Sequence, residues 1–246
     1  MAEGRKLPGF FAHLFLLAGA FLMILPFVWM LLTSFKTVTE STAWDPLVIF
    51  PASWKWENYL EVLKQYDFLR LYWNTLAMMA LRVICALLFS SMAAYAFARL
   101  RFPGRDLCFG LVLFQMMVPP QIFIIPQYLM VDAMGMRNTI FALLFPGLVS
   151  AFGTFLLRQF FMGLPKELEE SAKLDGCNIG QTFVRVMLPL VRSGLVALAI
   201  FTALFAFKDL MWPLIVNTSA KAATLSSALT KIQSAYSVNY PQLMAA

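Results

Sequence analysis

Five stretches of this chain, at about 10–35, 72–98, 106–130, 139–161 and 188–212, are long and apolar enough to cross a bilayer, whose hydrocarbon core takes about 20 consecutive apolar residues as a helix. Inside hydrocarbon every backbone N–H and C=O must be satisfied within the protein, so runs of this length become helices rather than open strands. The composition agrees, at 61% hydrophobic, 13% charged and a mean hydropathy of +0.74, where soluble domains carry about 25% charge. The expected fold class is therefore all-α, a polytopic transmembrane helix bundle in a lipid bilayer. The first run follows Arg5 and Lys6, but it is longer than a signal-peptide core of about 7–15 residues and lacks a small-residue cleavage site, so it is expected to stay as a span.

The polar connections between the runs are too short for a soluble catalytic domain. A net charge of +6 raises nucleic acid as a partner, yet the basic residues are spread thinly and form no stripe, so none is expected. Cys85 and Cys108 fall inside apolar runs and Cys177 in a charged segment, without metal or redox spacing; burial as small hydrophobes is expected. His13 is the only histidine, which excludes a histidine-based metal site.

Lys and Arg near span ends orient such a bundle, because they resist translocation. With the amino terminus inside, Arg5, Lys6, Arg99, Arg101, Arg105, Arg158, Lys166, Lys173, Arg185 and Arg192 lie inside, and Lys36, Lys55, Lys64, Arg70, Arg137, Lys208, Lys221 and Lys231 opposite. The inside segments are shorter and denser in charge, chiefly through "RLRFPGR". The expectation is a multi-pass protein of the cell membrane, amino terminus cytoplasmic, with the charged stretch 164–189 also inside.

Within the spans, Ser90, Ala94 and Ala98 at four-residue spacing make a small-residue face suited to close helix approach. Arg82, about ten residues into the second span, must face a cavity or a partner or snorkel outward, because a charge there costs roughly 2.5–3.5 kcal/mol by insertion scales; pathway lining and interface packing are equally open. It is the one ionisable group expected inside the spans, with Lys208 and Asp209 at the rim. Pro26, Pro119, Pro120, Pro126 and Pro146 remove backbone hydrogen bonds and bend helices. Pro119, Pro120 and Gln121 are candidates for lining a pathway or interface. The tail from Asn217, rich in Ser, Thr and Ala, suits a polar external loop or a short surface helix.

The stretch "LPKELEESAKLDGCNIGQTFVRVMLP", 164–189, concentrates charge between two apolar runs. Pro165 and the carboxylates Glu167, Glu169 and Glu170 suit a helix start, where the dipole favours negative charge. Gly176 permits a sharp turn or positive φ and Gly180 a close backbone approach. A short helix, a glycine turn and a second helical piece are expected. By composition alone this is a solvated loop.

Its spacing resembles the signature of permease subunits of ABC importers: Glu-Ala-Ala, three residues, Gly, nine residues, Ile-x-Leu-Pro. Here Glu170-Ser171-Ala172, Gly176 and Val186-Met187-Leu188-Pro189 keep every interval, with Ser171 and Val186 as conservative departures. "WNTL", "AAYAFARLRFPGR", "VPPQ", "GMRNT" and "LLRQFFMGLPKELEESAKLDG" resemble the carbohydrate-importing branch, that of the maltose-type and glycerol-phosphate-type permeases. That branch usually carries Trp-Asn ahead of Trp-Pro-Leu. Here Phe207-Lys208 precedes Asp209 and Trp212-Pro213-Leu214, so sugar contacts at that end are not carried over.

The resemblance implies a single transmembrane permease domain over 1–246 with a cytoplasmic coupling loop at 162–189. It implies import of sugars or oligosaccharides with a second permease subunit, two cytosolic ATPase subunits and an external substrate-binding protein. Glu167, Glu170, Ser171, Ala172, Asp175, Gly176 and Pro189 would serve the ATPase contact. No phosphate-cradling Gly-rich loop with Lys-Ser/Thr is present, so the chain is expected to hold no cofactor, ATP being bound by the partner subunits, and to be no enzyme. The alternative is an ion- or proton-coupled secondary carrier, which would place carboxylates or broken helices at the midplane. The closing "YPQLMAA" reads as the entry to another apolar helix, so a sixth span is expected beyond residue 246.

Overall fold

The computed structural model describes residues 6–43, 48–233 and 239–245. Every regular element among them is helical, as a backbone without access to water requires. The chain divides into two compact units, one made of Met1–Phe68 with Leu229–Ala246 and the other of Leu69–Ala228.

In the first unit, helix α1 (Lys6–Ser34) is about 43 Å long at 1.5 Å per residue. Side chains 11–31 are all exposed: over this length the helix is apolar all round and finds no cover among the described residues. Burial starts at its end. Phe35 packs against Trp54, Trp56 and Tyr59 at centroid distances of 5.0, 4.7 and 5.3 Å, and Asn58 Nδ2 donates to the carbonyls of Ser34 and Lys36 at 2.8 and 3.0 Å. Lys36 is buried: its Nζ donates to the Val48 carbonyl at 2.6 Å and lies 4.3 Å from the Trp29 ring centroid. Burial pulls this ammonium below the usual lysine range, with Glu40 opposing. Helix α2 (Val38–Thr42) begins with a reciprocal capping box between Thr37 and Glu40. Helix α3 (Glu57–Gln65) completes this part of the unit.

The second unit is organised on α4 (Phe68–Arg99), about 48 Å long. Leu71, Asn74, Thr75, Met78, Arg82, Ala86, Ser90, Ala94 and Tyr95 are buried along it, a stripe at three- and four-residue steps that marks one covered face. Met78, Leu143, Val131 and Trp212 belong to a core near one end, and Tyr95, Phe161, Met187 and Leu198 to a core near the other. The small-residue face packs as expected. A Cβ on Gly153 would lie 2.7 Å from Ser90 Oγ, so Ser90 and Gly153 let α4 and its neighbour approach to a distance that larger side chains forbid.

The three remaining apolar runs are not straight spans. Run 106–130 becomes α5 (Arg105–Met117), a 3-10 turn Pro120–Phe123 and α6 (Ile124–Ala133), bent by 101°. Run 139–161 becomes α7 (Ile140–Leu144), a 3-10 turn Phe145–Gly147 and α8 (Ala151–Met162), bent by 50°. After α9 (Glu167–Leu174) come α10 (Ile179–Gln181), a π-helical segment Thr182–Met187 and α11 (Leu188–Leu190); these meet α12 (Arg192–Lys208) at 78°. Prolines at or near the breaks, Pro119, Pro120, Pro146 and Pro189, supply the physical reason, since each withholds a backbone donor. Among the described residues, Phe11–Ser34 and Phe68–Arg99 are the continuous helices long and apolar enough to cross, and the number rises to five if each bent pair is one span.

Helices α13 (Met211–Val216), α14 (Leu225–Gln233) and α15 (Tyr240–Ala245) follow, the last of them at "YPQLMAA" and packed on α1 and α3. The Ser/Thr-rich tail is more firmly held than a polar loop. Thr224 and Ser227 are fully buried, Asn74 Nδ2 donates to the carbonyls of Lys221 and Ala223 at 3.0 and 2.8 Å, and Thr75 Oγ1 accepts from Leu225 N at 3.0 Å. The cysteines depart from expectation, because Cys108 is exposed and Cys85 and Cys177 are half-buried.

Candidate functional site

The charged stretch forms a rigid corner. Helix α9 opens with Glu167, Glu169 and Glu170 in its first turn and carries Lys173 in its last, charges that match the helix dipole at both ends. It stops by a Schellman motif: Cys177 N donates to the Ala172 carbonyl at 2.9 Å and Gly176 N to the Lys173 carbonyl at 3.0 Å, with Gly176 at φ +81°. Asp175 is the C-cap residue. Asn178 then caps α10 reciprocally with Gln181, both bonds at 2.9 Å, so the chain restarts one residue after it turns.

Burial divides the predicted residues of this corner. Ala172 is 5% exposed and faces inward. Glu167, Glu170, Ser171, Asp175 and Gly176 are exposed, as is Pro189 just beyond the π-helical segment. Leu174 is 90% exposed, an apolar side chain offered next to the turn. Gly180 does not serve a close approach: an added Cβ would meet only Asn178 Oδ1 at an ordinary 3.5 Å.

Residues outside the signature hold the corner in place. Arg99, at the end of α4, donates through Nη2 to the carbonyls of Phe161 and Leu164 at 2.6 and 2.5 Å, capping α8 where its last carbonyls lack helical partners. Its Nε lies 3.8 Å from Glu169. Tyr95 packs edge-on to Phe161 at 5.6 Å and against Phe183 at 5.1 Å. Glu169 was legible only as one of three acidic residues, and its sequence gives no sign that it alone turns inward.

The second cluster lies where the bent runs meet. Arg82 donates through Nη1 to Asp209 Oδ2 at 2.8 Å, and through Nε and Nη2 to the Leu143 carbonyl at 2.8 and 2.6 Å. Asp209 sits in the break between α12 and α13, and Leu143 lies near the broken end of α7, so one guanidinium ties two interrupted helices to α4. Asp209 is therefore drawn into its unit rather than left at a rim, while Lys208 beside it stays exposed. Arg82 stands about 21 Å from the Phe68 end of α4 and about 26 Å from the Arg99 end, which puts the pair near mid-length. Gly147 clears the way, since a Cβ there would lie 2.8 Å from Arg82 Cγ. Trp212 Nε1 donates to the Ala142 carbonyl at 2.8 Å, satisfying another acceptor of the broken helix.

Beside the pair, the breaks enclose a groove of about 560 Å³ lined by Pro120, Gln121, Gln127, Phe152, Lys208 and Trp212 among others. Pro120 and Gln121 line it, Pro119 precedes the 3-10 turn beside them, and Arg82, outside the lining, holds the lining residue Asp209. The sequence reading missed Gln127, Trp212 and the place of Lys208, itself exposed, in the lining, because their chemistry is too common along membrane chains to stand out. Among the described residues no three His, Cys, Asp or Glu side chains are grouped to hold a metal.

A helical membrane subunit with interrupted helices around a groove, and with a charged corner between two of them, is the architecture of a transport permease. The chain belongs to the family described as binding-protein-dependent transport system inner membrane component, which it matches over residues 86–246; it is a permease subunit of an ABC importer. It is 34% identical over 231 residues to the arabinooligosaccharides transport system permease protein AraQ of Halalkalibacterium halodurans, covering 92% of this chain and 82% of that one. It is 30% identical over 240 residues to the lactose transport system permease protein LacG of Rhizobium radiobacter (98% and 87% covered), and 28% identical over 239 to the sn-glycerol-3-phosphate transport system permease protein UgpE of Brucella suis (94% and 84%). The fold is similar to that of a chain in the crystal structure of a bacterial ABC transporter involved in the import of the acidic polysaccharide alginate, with a TM-score of 0.80, 21% identity, and 100% and 92% of the two chains covered. The membership leaves the ion-coupled carrier without support.

Proposed function

We propose that this permease imports a sugar or oligosaccharide and receives the work of ATP hydrolysis through the 164–189 corner. The observation that carries the coupling role is mechanical. A membrane subunit with no nucleotide site of its own must be moved through a contact, and α9 is a short helix, exposed at Glu167, Glu170 and Leu174 and fixed on its inner side by Ala172 and Glu169. A helix held this way passes rigid-body motion into α8 and α12. Leu174 supplies an apolar contact and the carboxylates supply partners for basic groups.

The carbohydrate assignment is supported by relatives named for arabinooligosaccharide and lactose transport. The partners in this reading are a second permease, two cytosolic ATPase subunits and an external substrate-binding protein, with ATP held by the ATPases and no cofactor in this chain. The amino terminus and the 164–189 corner face the cytoplasm, in keeping with the basic residues around Arg99–Arg105.

Reconstitution of the complete importer in proteoliposomes tests this. Glu170→Ala with Leu174→Asp is expected to lower uptake and substrate-stimulated ATP hydrolysis at least tenfold, the effect of losing about 1.4 kcal/mol or more of contact, with the protein still inserted. Unchanged uptake would remove the coupling role from α9. Uptake confined to solutes that are not carbohydrates would remove the substrate class.

A further inference from the structure

The groove at the bends contains one cation that nothing in the described residues neutralises. Lys208 and Asp209 are the only charged residues lining it. Asp209 is already bound by Arg82 at 2.8 Å, and that pair sums to zero. Lys208, in the last turn of α12, forms no ion pair among the described residues and leaves the groove with a charge of +1.

Its position makes that charge consequential. Asp209 contacts Arg82 near the mid-length of α4, so Lys208, its neighbour, lies at a similar depth. Lys208 is exposed, so its ammonium is open to an anion entering the groove, and at that depth in a bilayer the low dielectric around the site strengthens the attraction. The lining beside it is suited to a carbohydrate: Gln115, Gln121 and Gln127 offer amides that both donate and accept, and Phe152 and Trp212 offer flat apolar faces.

We propose that this groove is a passage subsite for an anionic carbohydrate, a sugar bearing a carboxylate or a phosphate ester, with its acidic group against Lys208 Nζ. The proposal rests on the carbohydrate reading above and narrows it. Arg82 takes part as a positioning residue: by engaging Asp209 it keeps that carboxylate from pairing with Lys208.

The assembled complex of both permeases and the ATPases, purified in detergent without the binding protein, is titrated calorimetrically with digalacturonate, with its carboxyl-reduced neutral counterpart digalactose, and with galactose 6-phosphate. Each acidic sugar that fits is expected to bind roughly tenfold tighter than digalactose, the scale of one charge-assisted hydrogen bond, and the preference should shrink with added salt. Lys208→Gln should close that gap by weakening the acidic sugars, while Lys208→Arg should keep it. A preference for digalacturonate alone assigns the subsite to carboxylates, and one for galactose 6-phosphate alone to phosphate esters. Equal affinity for all three sugars overturns the proposal, as does inorganic phosphate binding as tightly as galactose 6-phosphate. Loss of the partner permease from the Lys208→Gln complex, read by native mass spectrometry, would make Lys208 a subunit contact and also overturn it. Failure of every sugar to bind sinks the subsite, while uptake by the complete importer separately decides the carbohydrate reading.

Discussion

Arg82 on α4 and Asp209 in the break after α12 lie 2.8 Å apart, with the Leu143 carbonyl sharing the same guanidinium. A charge inside a membrane helix is tolerated when it meets the acceptors that broken helices expose, and here one Arg meets two. Removing it strands a carboxylate and a carbonyl together. Arg82→Met is expected to destabilise the protein by about 2–4 kcal/mol, toward the lower end for buried pairs because Asp209 is partly open to the groove. Arg82→Met with Asp209→Met should recover much of the loss. A double-mutant cycle on denaturation in detergent reads the coupling, and additive losses would show that the pair does not act as a unit.

The contact between Ser90 and Gly153 gives a compensation test. Gly153→Ala places a Cβ 2.7 Å from Ser90 Oγ and 3.0 Å from Leu198, and overpacking of this kind costs about 1–3 kcal/mol. Adding Ser90→Gly should restore part of that stability, measured by thermal unfolding. No recovery would mean that Leu198 alone sets the limit.

The two glycines of the 164–189 corner should behave differently. Gly176→Val puts a β-branched residue at φ +81°, a strain of roughly 1–2 kcal/mol or more, and should depress coupled ATP hydrolysis and uptake with insertion intact. Gly180→Ala meets open space beyond Asn178 and should leave both within twofold, about 0.4 kcal/mol. Equal effects would contradict the Schellman turn as the feature that matters.

The proposed topology rests on the basic residues and can be tested directly. With Cys85, Cys108 and Cys177 replaced, a cysteine at Lys173 should react with an impermeant reagent only from the cytoplasmic side and one at Lys55 only from outside. The background replacement is needed because Cys108 is exposed. The opposite labelling pattern would invert the orientation.

Glu40 predicts a local acid response. Hydrogen bonds from Thr37 N foremost, and from Ala52 N, hold its carboxyl below the ordinary glutamate range, against the effect of burial. A carboxylate with a depressed folded-state pKa contributes stability that is present above its unfolded value and is lost as pH falls through the folded one. Amide exchange at Thr37 and Ala52 should therefore gain protection as pH rises through the acid range, after correction for intrinsic rates, and Glu40→Gln should flatten that dependence. A pH response that survives the substitution would assign it elsewhere.

What the sequence determined is what depends on residue type and short spacing. Apolar run length specified helices and bilayer residence, because hydrocarbon leaves the backbone no other partner. The interval from Glu170 to Gly176 specified a helix and its stop, because a Schellman turn uses neighbours in the chain. Proline positions indicated that some runs would bend.

The angles of those bends, and which residues they bring together, belonged to the tertiary structure. Arg82 and Asp209 are 127 positions apart, and Arg99 reaches the end of α8 across more than 60. No local pattern encodes such pairs, since each depends on how α4 packs against helices made much later in the chain. Asp209 read as a rim residue because an apolar run ends there; it became interior because the helix breaks and turns its carboxylate toward a cation. Glu169 became structural, and Glu170 stayed exposed, by one helical step of about 100°. Only the packed neighbour decides which of two adjacent carboxylates is turned inward.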